Sequence, residues 1–364
     1  MSAPAHAPSA APPPRPGGPI VWARRRLFAN PVDAAITLVF GALVAWALWS
    51  GLEWALIDTV WQAETGAECR GASGACWAVI EARGRLILFG LYPYEEHWRS
   101  TLACLAIVAT TLLSCLPWFW SLARLSALWL GGFALFVALM YGGFLGMPLV
   151  TTEKWGGLSL TVFLFASVVV IGMPLSVALA LMRRSRLPVV RGVVGAIIDV
   201  TRSLPLLAIL FAAAVVVPFV VPDWAQGDKL VRVILAFALF FAAYQAEIIR
   251  AGLQAIPEGQ EEGAAALGLR YVPRIFLVLL PQAFRNALPA TINQVVITFK
   301  ETSIVTIIGF FEVMASGNAA LGRGDWSGQF IEVYVFVGLI YFTFAFGLSR
   351  YGAYLEARAR RADR

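Results

Sequence analysis

The uncharged stretch WGGLSLTVFLFASVVVIGMPLSVALALM, residues 155–182, decides the class of this protein. It contains no Asp, Glu, Lys or Arg, and it exceeds the roughly 20 apolar residues that a helix needs to cross the hydrocarbon layer of a bilayer. In the whole chain of 364 residues, 59% are hydrophobic and 14% are charged, whereas a soluble domain carries about 25% charged residues. The sequence therefore predicts an α-helical membrane protein.

Seven further segments are candidates for membrane-spanning helices. Four are uncharged runs at residues 34–52, 100–123, 125–152 and 203–222. Three more are apolar but bounded or interrupted by charges, at residues 232–250, 288–311 and 333–350. We therefore predict an all-α, polytopic fold with about eight transmembrane helices.

The distribution of arginine predicts the orientation. Short cytoplasmic loops hold an excess of Lys and Arg, and arginines occur here at 24–26, at 183–191 and at 358–364. With both termini in the cytoplasm, all three groups lie on that side. The net charge of +6 thus follows the membrane, so we expect membrane lipid around the chain and no nucleic-acid partner.

The ends of the chain and one long connection differ from the predicted helices. Residues 1–19 are rich in Ala, Pro and Gly and are predicted to be a disordered cytoplasmic tail. Residues 20–154 are predicted to form a three-span extension that contains a long periplasmic loop, residues 58–100. Cys69 and Cys76 lie in this loop, where an oxidising compartment allows a disulfide; two unpaired thiols are the alternative. Residues 355–364 form a basic cytoplasmic tail.

A patterned polar insert, residues 251–287, separates the sixth and seventh predicted spans. It contains IPEGQEEGAAALG at residues 256–268 and continues to Leu280 and Pro281. Acidic residues suit the first turn of a helix, and Gly268 suits a helix end. An apolar segment, residues 272–280, then precedes the proline. We predict two short helices that meet at a bend, a shape that can dock into a groove of another protein.

The insert resembles the cytoplasmic coupling motif in permease subunits of ATP-binding-cassette (ABC) importers. That motif reads Glu-Ala-Ala, three residues, Gly, and nine residues before Ile-x-Leu-Pro. Here glycine replaces the first alanine and valine replaces the isoleucine, while the spacing agrees throughout. The matching residues are Glu262, Gly263, Ala264, Gly268, Val278, Leu280 and Pro281.

Other segments narrow the resemblance. Residues 202–207, 244–252, 281–283 and 300–303 resemble the polar amino-acid subfamily of these permeases. The three extra spans and residues 74–77, 92–93 and 155–157 are similar to the longer permease subunit of general L-amino-acid importers. The resemblance implies a five-helix permease core at residues 155–354, in the inner membrane of a bacterium.

The resemblance also implies partners. These are two ABC ATPase subunits, a periplasmic amino-acid-binding protein and a second homologous permease, with a heterodimer favoured over a homodimer. ATP and Mg belong to the partner ATPase, and no cofactor is expected on this chain. A phosphate-binding loop of the type GxxxxGK[ST] needs a Gly-Lys pair. None of the three lysines, Lys154, Lys229 and Lys300, follows a glycine.

Three charged residues are candidates for gating. Glu247 and Arg250 are three residues apart and share one helical face. They form either a structural ion pair or a latch between the transmembrane and coupling segments. Arg202 opens the fifth predicted span, where it either snorkels to the interface or orients a partner subunit or a substrate carboxylate.

A second group of candidates lies in the seventh predicted span. Lys300 and Glu301 would sit at depth, where charges are costly and usually face a partner or a watery cavity. A zwitterionic amino acid offers both signs, which favours a substrate pathway; an ion network between subunits is the alternative. Thr298, Thr302 and Ser303 either line the same path or bond back to the backbone.

A catalytic or metal-binding set is not evident in the sequence. His6 lies in the predicted tail and His97 in the predicted outer loop, without a metal-ligand cluster around either. The chain is therefore not predicted to be an enzyme. A secondary amino-acid transporter driven by an ion gradient is the alternative function. Such folds commonly show inverted repeats, and none is visible here.

Overall fold

The computed structural model describes residues 18–322, 324 and 326–361, and these are almost entirely helical, which confirms the predicted all-α class. Residues 1–17 of the predicted N-terminal tail and residues 362–364 of the predicted basic C-terminal tail lie outside the described part. The helices are α1 Pro19–Arg26, α2 Pro31–Leu52, α3 Ala78–Phe89, α4 His97–Ser114, α5 Leu122–Tyr141, α6 Gly157–Arg183, α7 Pro188–Ser203, α8 Leu206–Phe211, α9 Val217–Val220, α10 Asp223–Gln226, α11 Lys229–Gln254, α12 Glu258–Ala266, α13 Tyr271–Pro273, α14 Leu280–Glu301, α15 Val313–Ala320 and α16 Phe330–Arg361.

Short irregular elements extend several of these helices. Residues Ala212–Val216 form a π-helical turn between α8 and α9, and Arg274–Leu279 form another before α14. A 3-10 segment, Thr302–Ile308, follows α14. The strand β1, Phe311–Glu312, forms parallel bridges with Gly156 and Gly157 at the start of α6.

Six helical segments in the described part are long and apolar enough to cross a membrane. They are Pro31–Ile57, Leu122–Tyr141, Gly157–Arg183, Lys229–Gln254, Tyr271–Ile308 and Phe330–Arg361. A seventh is obtained if α7 and Leu206–Val220, bent by 106°, are taken together. The remaining predicted span, at residues 100–123, corresponds to α4, which has 18 residues and carries Arg99 in its first turn. A count of eight therefore stays a prediction.

Several predicted boundaries differ from the structure. The span predicted at 100–123 ends at Ser114, with Pro117 following, and the span predicted at 125–152 ends at Tyr141, where Gly142 has a φ of +68°. The predicted loop 58–100 contains α3, a 12-residue helix that buries Ala78, Val79 and Ile87 and also carries charged residues. Residues 355–361 continue α16 rather than forming a separate tail.

The chain divides into two compact units. The first contains residues up to 63 and residues 68–77, and the second contains residues 64–67 and 78 onward. In the first unit a disulfide joins Cys69 and Cys76, whose Cα atoms are 5.8 Å apart. The indole of Trp77 donates a hydrogen bond to the carbonyl of Ala55 at 2.8 Å. This loop is therefore covalently closed and attached to the end of the first helical span.

In the second unit, α4 and α5 pack against α6. The rings of Phe136 on α5 and Phe163 on α6 stack with centroids 4.3 Å apart, and Trp155 meets Phe163 edge to face. All three side chains are buried. Aromatic pairs of this kind stabilise packing by about 0.5–1.5 kcal/mol beyond their buried area. The helices α4 and α5 of the extension thus share a hydrophobic core with α6.

A buried arginine joins α4 to the end of α5. Arg99 is fully buried; its Nε donates to the carbonyl of Leu139 at 2.7 Å and its Nη1 to that of Pro148 at 2.9 Å. It also forms an ion pair with Glu96 at 3.3 Å. Nearby, the hydroxyl of Tyr92 donates to the carbonyl of Met140 at 2.9 Å, and burial raises the pKa of Tyr92 to about 12. These donors satisfy carbonyls that the end of α5 leaves free.

Candidate functional site

The short helix α12 carries the first half of the coupling motif. Glu258 and Glu261 lie in its first turn, where carboxylates suit the helix dipole. At the other end Gly268 has a φ of +80°, and its N–H donates to the carbonyl of Ala265 at 2.9 Å. A left-handed residue after a helix is usually glycine because other side chains are strained there. The motif glycine therefore ends the helix.

The two faces of α12 differ. Ala264 is buried, whereas Glu262 and Gly263 are exposed. Leu267, at the end of the helix, is 84% exposed. A Cβ added to Gly263 would meet no atom within 4 Å. One face of the helix thus packs on the protein, and the face with Glu262 is open.

Glu261 attaches α12 to two other helical segments. It accepts a hydrogen bond from Nη2 of Arg184, next to the end of α6, at 3.0 Å. Its other carboxylate oxygen lies 3.7 Å from Nε of Arg274, before α14. Glu261 thus contacts both the residue that follows α6 and the helical segment that precedes α14.

The second half of the motif corrects the predicted pair of short helices. Val278, Leu280 and Pro281 lie within one continuous helical segment, Tyr271–Ile308, so only α12 is a separate short helix. Pro281 does not end a helix but stands in the first turn of α14, directly after a π-helical turn. Proline lacks the N–H that an uninterrupted helix needs, and a π turn is a common way to accommodate such a break.

A close contact between α11 and α14 holds the connection in place. A Cβ at Gly252 would overlap the carbonyl oxygen of Ala283, so the two backbones approach as only glycine allows. Asn286 donates to the carbonyl of Gly252 at 3.2 Å, and Gln245 donates to Thr291 at 2.8 Å. The segment that carries α12 therefore begins and ends on packed helices.

Glu247 on α11 is the centre of an ion-pair network. Its side chain is 14% exposed, and it accepts hydrogen bonds from Nε and Nη2 of Arg250 at 2.9 and 2.7 Å. Nε of Arg183 lies 3.4 Å from the other oxygen, Oε1, and Nη1 of Arg202 lies 3.9 Å from Oε2, the oxygen that Arg250 contacts. Arg183 also forms a bidentate pair with Asp199 at 2.9 and 3.1 Å. The network connects α6, α7 and α11.

The structure brings the three predicted gating residues together. Arg202, Glu247 and Arg250 line one cavity of about 440 Å³, between α11 and the start of α14. Arg202 also lies over the ring of Tyr244, 5.2 Å from its centroid. Sequence spacing predicted the pair on α11 but not Arg183, which approaches Glu247 from a helix 64 positions earlier in the chain.

The three hydroxyl residues predicted to line a substrate path bond instead to nearby backbone carbonyls. Thr298 and Thr302 are fully buried, and their hydroxyls donate to the carbonyls of Gln294 and Phe299 at 2.9 and 2.7 Å. Ser303 donates to the carbonyl of Lys300 at 2.9 Å. These hydroxyls bond back to the backbone, the alternative that the sequence left open.

Lys300 and Glu301 lie at the end of α14 and have different surroundings. Lys300 is exposed and Glu301 is half-buried. Oxygen Oε2 of Glu301 is buried without a hydrogen-bond partner among the described residues. Neither side chain lines the cavity beside Glu247, so the two groups of candidates form separate sites.

A family model for the binding-protein-dependent transport system inner membrane component matches residues 172–361, just over half of the chain. The chain belongs to this family. The predicted resemblance to ABC importer permeases is thereby confirmed. Membership makes the chain a multi-pass inner-membrane permease, and it implies an ATPase and a substrate-binding protein as partners. The translocation subunit is not itself the ATPase.

Individual relatives extend the similarity beyond the core. The permease is 39% identical over 361 residues to the inner membrane amino-acid ABC transporter permease protein YhdY of Escherichia coli K12, covering 95% of this chain and 96% of that one. It is 34% identical to the glutamate/glutamine/aspartate/asparagine transport system permease protein BztC of Rhodobacter capsulatus, covering 95% of each. The glutamate/aspartate import permease protein GltK of Escherichia coli O6:H1 is 33% identical over 56% of this chain and 91% of its own length.

Sequence analysis of the permease missed a buried carboxylate, Glu312. Its side chain is fully buried, and it accepts hydrogen bonds from the hydroxyls of Thr306 and Tyr341 at 2.6 and 2.9 Å. The N–H of Ala315 donates to it at 2.9 Å, so Glu312 caps α15. Glu312 directly follows the span predicted at residues 288–311, and a single Glu beside an apolar run does not indicate whether its side chain is buried or exposed to water.

The described residues contain no group of three or more His, Cys, Asp and Glu side chains placed to hold a metal ion. His97 instead stacks on Phe89, with centroids 4.1 Å apart, and Nη2 of Arg85 lies 3.1 Å from its Nδ1. His97 is thus part of the packing at the start of α4.

Proposed function

We propose that this permease moves L-amino acids across the inner membrane, driven by ATP hydrolysis on a separate subunit. The substrate class is supported by YhdY and BztC, two amino-acid permeases that resemble this chain along nearly its whole length. The difference in polarity between the two ends of the bundle supports an orientation with both termini in the cytoplasm, because arginines concentrate near α12 and the end of α16.

The observation that carries the coupling mechanism is the attachment of α12 through Glu261. An ATPase that docks on the open face, at Glu262 and Leu267, would move a helix that is bonded to Arg184 next to α6 and lies near Arg274 ahead of α14. A force applied at one short helix would thus reach two membrane-spanning segments. Two copies of the ATPase, one for each permease of a pair, fit this arrangement, and a heterodimer with a second homologous permease is part of the proposal.

Coupling is tested with substitutions on α12. The complex of permease, ATPase and binding protein is reconstituted in proteoliposomes with wild type, Glu262→Lys or Gly268→Asp, and amino-acid-stimulated ATP hydrolysis and uptake are measured. Both variants are expected to lose uptake, since one reverses the charge of the open face and the other strains the helix end. Gly263→Ala is the matched control, because a Cβ fits there without contact. Full activity of both variants in correctly inserted protein would contradict this docking site.

The network around Glu247 is proposed as the gate that reports this movement. Five charged side chains from three helices meet in it, so a relative shift of α6, α7 and α11 must break and remake ion pairs. Arg202 and the cavity of about 440 Å³ beside it lie where a substrate carboxylate leaving the bundle would meet positive charge. Arg202→Gln is expected to slow uptake while the complex still binds its ATPase.

Lys300 and Glu301 are proposed as a second polar step on the path. The buried, unpartnered Oε2 of Glu301 is available to accept a hydrogen bond from a substrate ammonium group, and the exposed Lys300 is available to a carboxylate. Glu301→Gln is expected to change the KM for uptake of cationic and anionic amino acids in opposite directions. If Glu301→Gln leaves the KM of both substrate classes at the wild-type values, this pair has no role in the substrate path.

A further inference from the structure

An arginine-lined cleft lies between the end of α6, α7 and α12. It has a volume of about 990 Å³, and its lining includes Arg183, Arg184, Arg191 and Arg250. A neighbouring cleft of about 700 Å³ shares Arg184 and adds Arg186 and Arg274. Six arginines therefore surround the two clefts, against three lining carboxylates: Asp199, Glu258 and Glu261.

Two of these arginines have no counter-charge within the described part of the chain. Arg183 and Arg250 pair with Glu247, and Arg184 pairs with Glu261. By contrast, no carboxylate of the described part of the chain forms an ion pair with Arg186 or Arg191, and both side chains are exposed. Guanidinium groups bind phosphate oxygens in a planar, bidentate geometry. An unpaired excess of them around a concave site favours an anion.

The helix α7 has three distinct faces, and one of them borders this cleft. Val194, Ile198 and Thr201 are buried and face the bundle. Arg191 lies in the sector that lines the cleft, together with Gly192 and Gly195, where an added Cβ would meet no atom within 4 Å. The glycines keep the cleft open along the helix.

The third face of α7 is an exposed apolar stripe. Val189, Val193, Ile197 and Val200 are between 42% and 74% exposed. Their spacing of four, four and three residues puts them on one side of a helix. The stripe thus runs beside the cleft along the same helix, so that an apolar surface adjoins a cationic one.

We propose that the cleft binds the phosphate headgroup of an anionic phospholipid, with the acyl chains along the apolar stripe of α7. Continuity of positive charge and apolar surface is the pattern of helices that lie in a membrane interface. The bend of 106° between α7 and Leu206–Val220 supports this placement, because an apolar segment that enters the bilayer turns α7 toward the membrane plane. The headgroup neutralises Arg191, and the lipid thereby sits against the segment that carries α12.

The proposal is tested by native mass spectrometry of the full-length permease in detergent. Phosphatidylglycerol, phosphatidylcholine and inorganic phosphate are titrated separately, and inorganic phosphate is then added at equal concentration to the protein with bound phosphatidylglycerol. Wild type is expected to retain phosphatidylglycerol in preference to phosphatidylcholine. The double variant Arg186→Gln/Arg191→Gln is expected to bind phosphatidylglycerol roughly 30-fold more weakly, as expected for two arginines near a lipid headgroup. The matched control is Arg360→Gln/Arg361→Gln, which removes two exposed arginines from the end of α16 and is expected to bind like wild type.

A second variant keeps every arginine. Gly195→Leu fills the open cleft and raises helix propensity, so it is expected to fold and to lose phosphatidylglycerol. Three results would overturn the proposal: equal lipid affinity in wild type and both cleft variants, displacement of the lipid by inorganic phosphate at equal concentration, or a dimer of the permease that covers α7 and excludes lipid. The first result removes the site, the second makes it a site for free anions, and the third assigns the stripe to a second copy.

Discussion

Arg184 reaches from the end of α6 to Glu261 on α12, and its Nη2 lies 3.0 Å from the carboxylate. Each side chain is 38% exposed. An exposed pair of this kind stabilises a fold by about 1 kcal/mol or less. If α12 is the docking helix, as proposed, this pair matters as a direct bond from α12 to the residue that follows the membrane-spanning helix α6.

The first prediction concerns this pair. Arg184→Gln and Glu261→Gln are each expected to reduce uptake per ATP hydrolysed, with little change in the melting temperature. Because the two side chains act through one contact, the double variant is expected to be no worse than either single variant. Uptake and ATP hydrolysis are measured in the same proteoliposomes. Strictly additive losses would show that the two residues act independently.

The second prediction concerns Glu247. Glu247→Gln leaves Arg183, Arg202 and Arg250 around an uncharged side chain, and it is expected to lower the free energy of unfolding by about 1–3 kcal/mol. Asp199→Asn is the comparison, since that carboxylate is 58% exposed and its loss should cost about 1 kcal/mol or less. Thermal unfolding in detergent measures both. The reverse order of effects would mean that Asp199 is the principal partner of Arg183.

The third prediction concerns the packing of the extension. Arg99→Leu leaves the carbonyls of Leu139 and Pro148 without their donors in a buried place, and it is expected to destabilise the protein by about 3 kcal/mol or more. Arg83→Leu removes an arginine from α3 in the same unit, and this substitution is expected to have a smaller effect. Thermal unfolding of the purified permease compares them. A small effect of Arg99→Leu would show that water replaces the guanidinium.

The fourth prediction concerns the loop closed by Cys69 and Cys76. Replacing both with serine is expected to remove about 2–3 kcal/mol of stability from this loop, because a short closed loop constrains the unfolded chain. Limited proteolysis of the oxidised and substituted proteins measures the effect, and Cys104→Ser is the control. Labelling of Cys69 by a thiol reagent in membranes without prior reduction would contradict a disulfide in the native protein.

Much of the fold follows from the sequence because the bilayer imposes length and polarity. The runs at 34–52 and 155–182 became helices with closely similar limits. The limits of α4 and α5 were predicted poorly, since Pro117 and Gly142 end helices within segments that stay uncharged. Charge alone does not reveal such breaks.

From the sequence, residues of the candidate site could be identified only where they lie close together in the chain. The motif around Glu262 and Gly268 was found by spacing, and Gly268 indeed ends its helix. Arg183 and Glu312 were missed, because the contacts that define them join α6 to α11 and α16 to β1. Residues 64 or 29 positions apart meet only after the helices pack, and a single sequence carries no record of that.

The energy source for uptake distinguishes an ABC importer permease from an ion-driven transporter. Proteoliposomes containing the permease, its partner permease and the binding protein are prepared with and without the ATPase, and amino-acid uptake is measured with internal ATP or with a proton gradient. Uptake is expected only when both ATPase and ATP are present, and none is expected from the gradient alone. Uptake driven by the gradient without the ATPase would contradict this expectation and would assign the chain to ion-driven transporters.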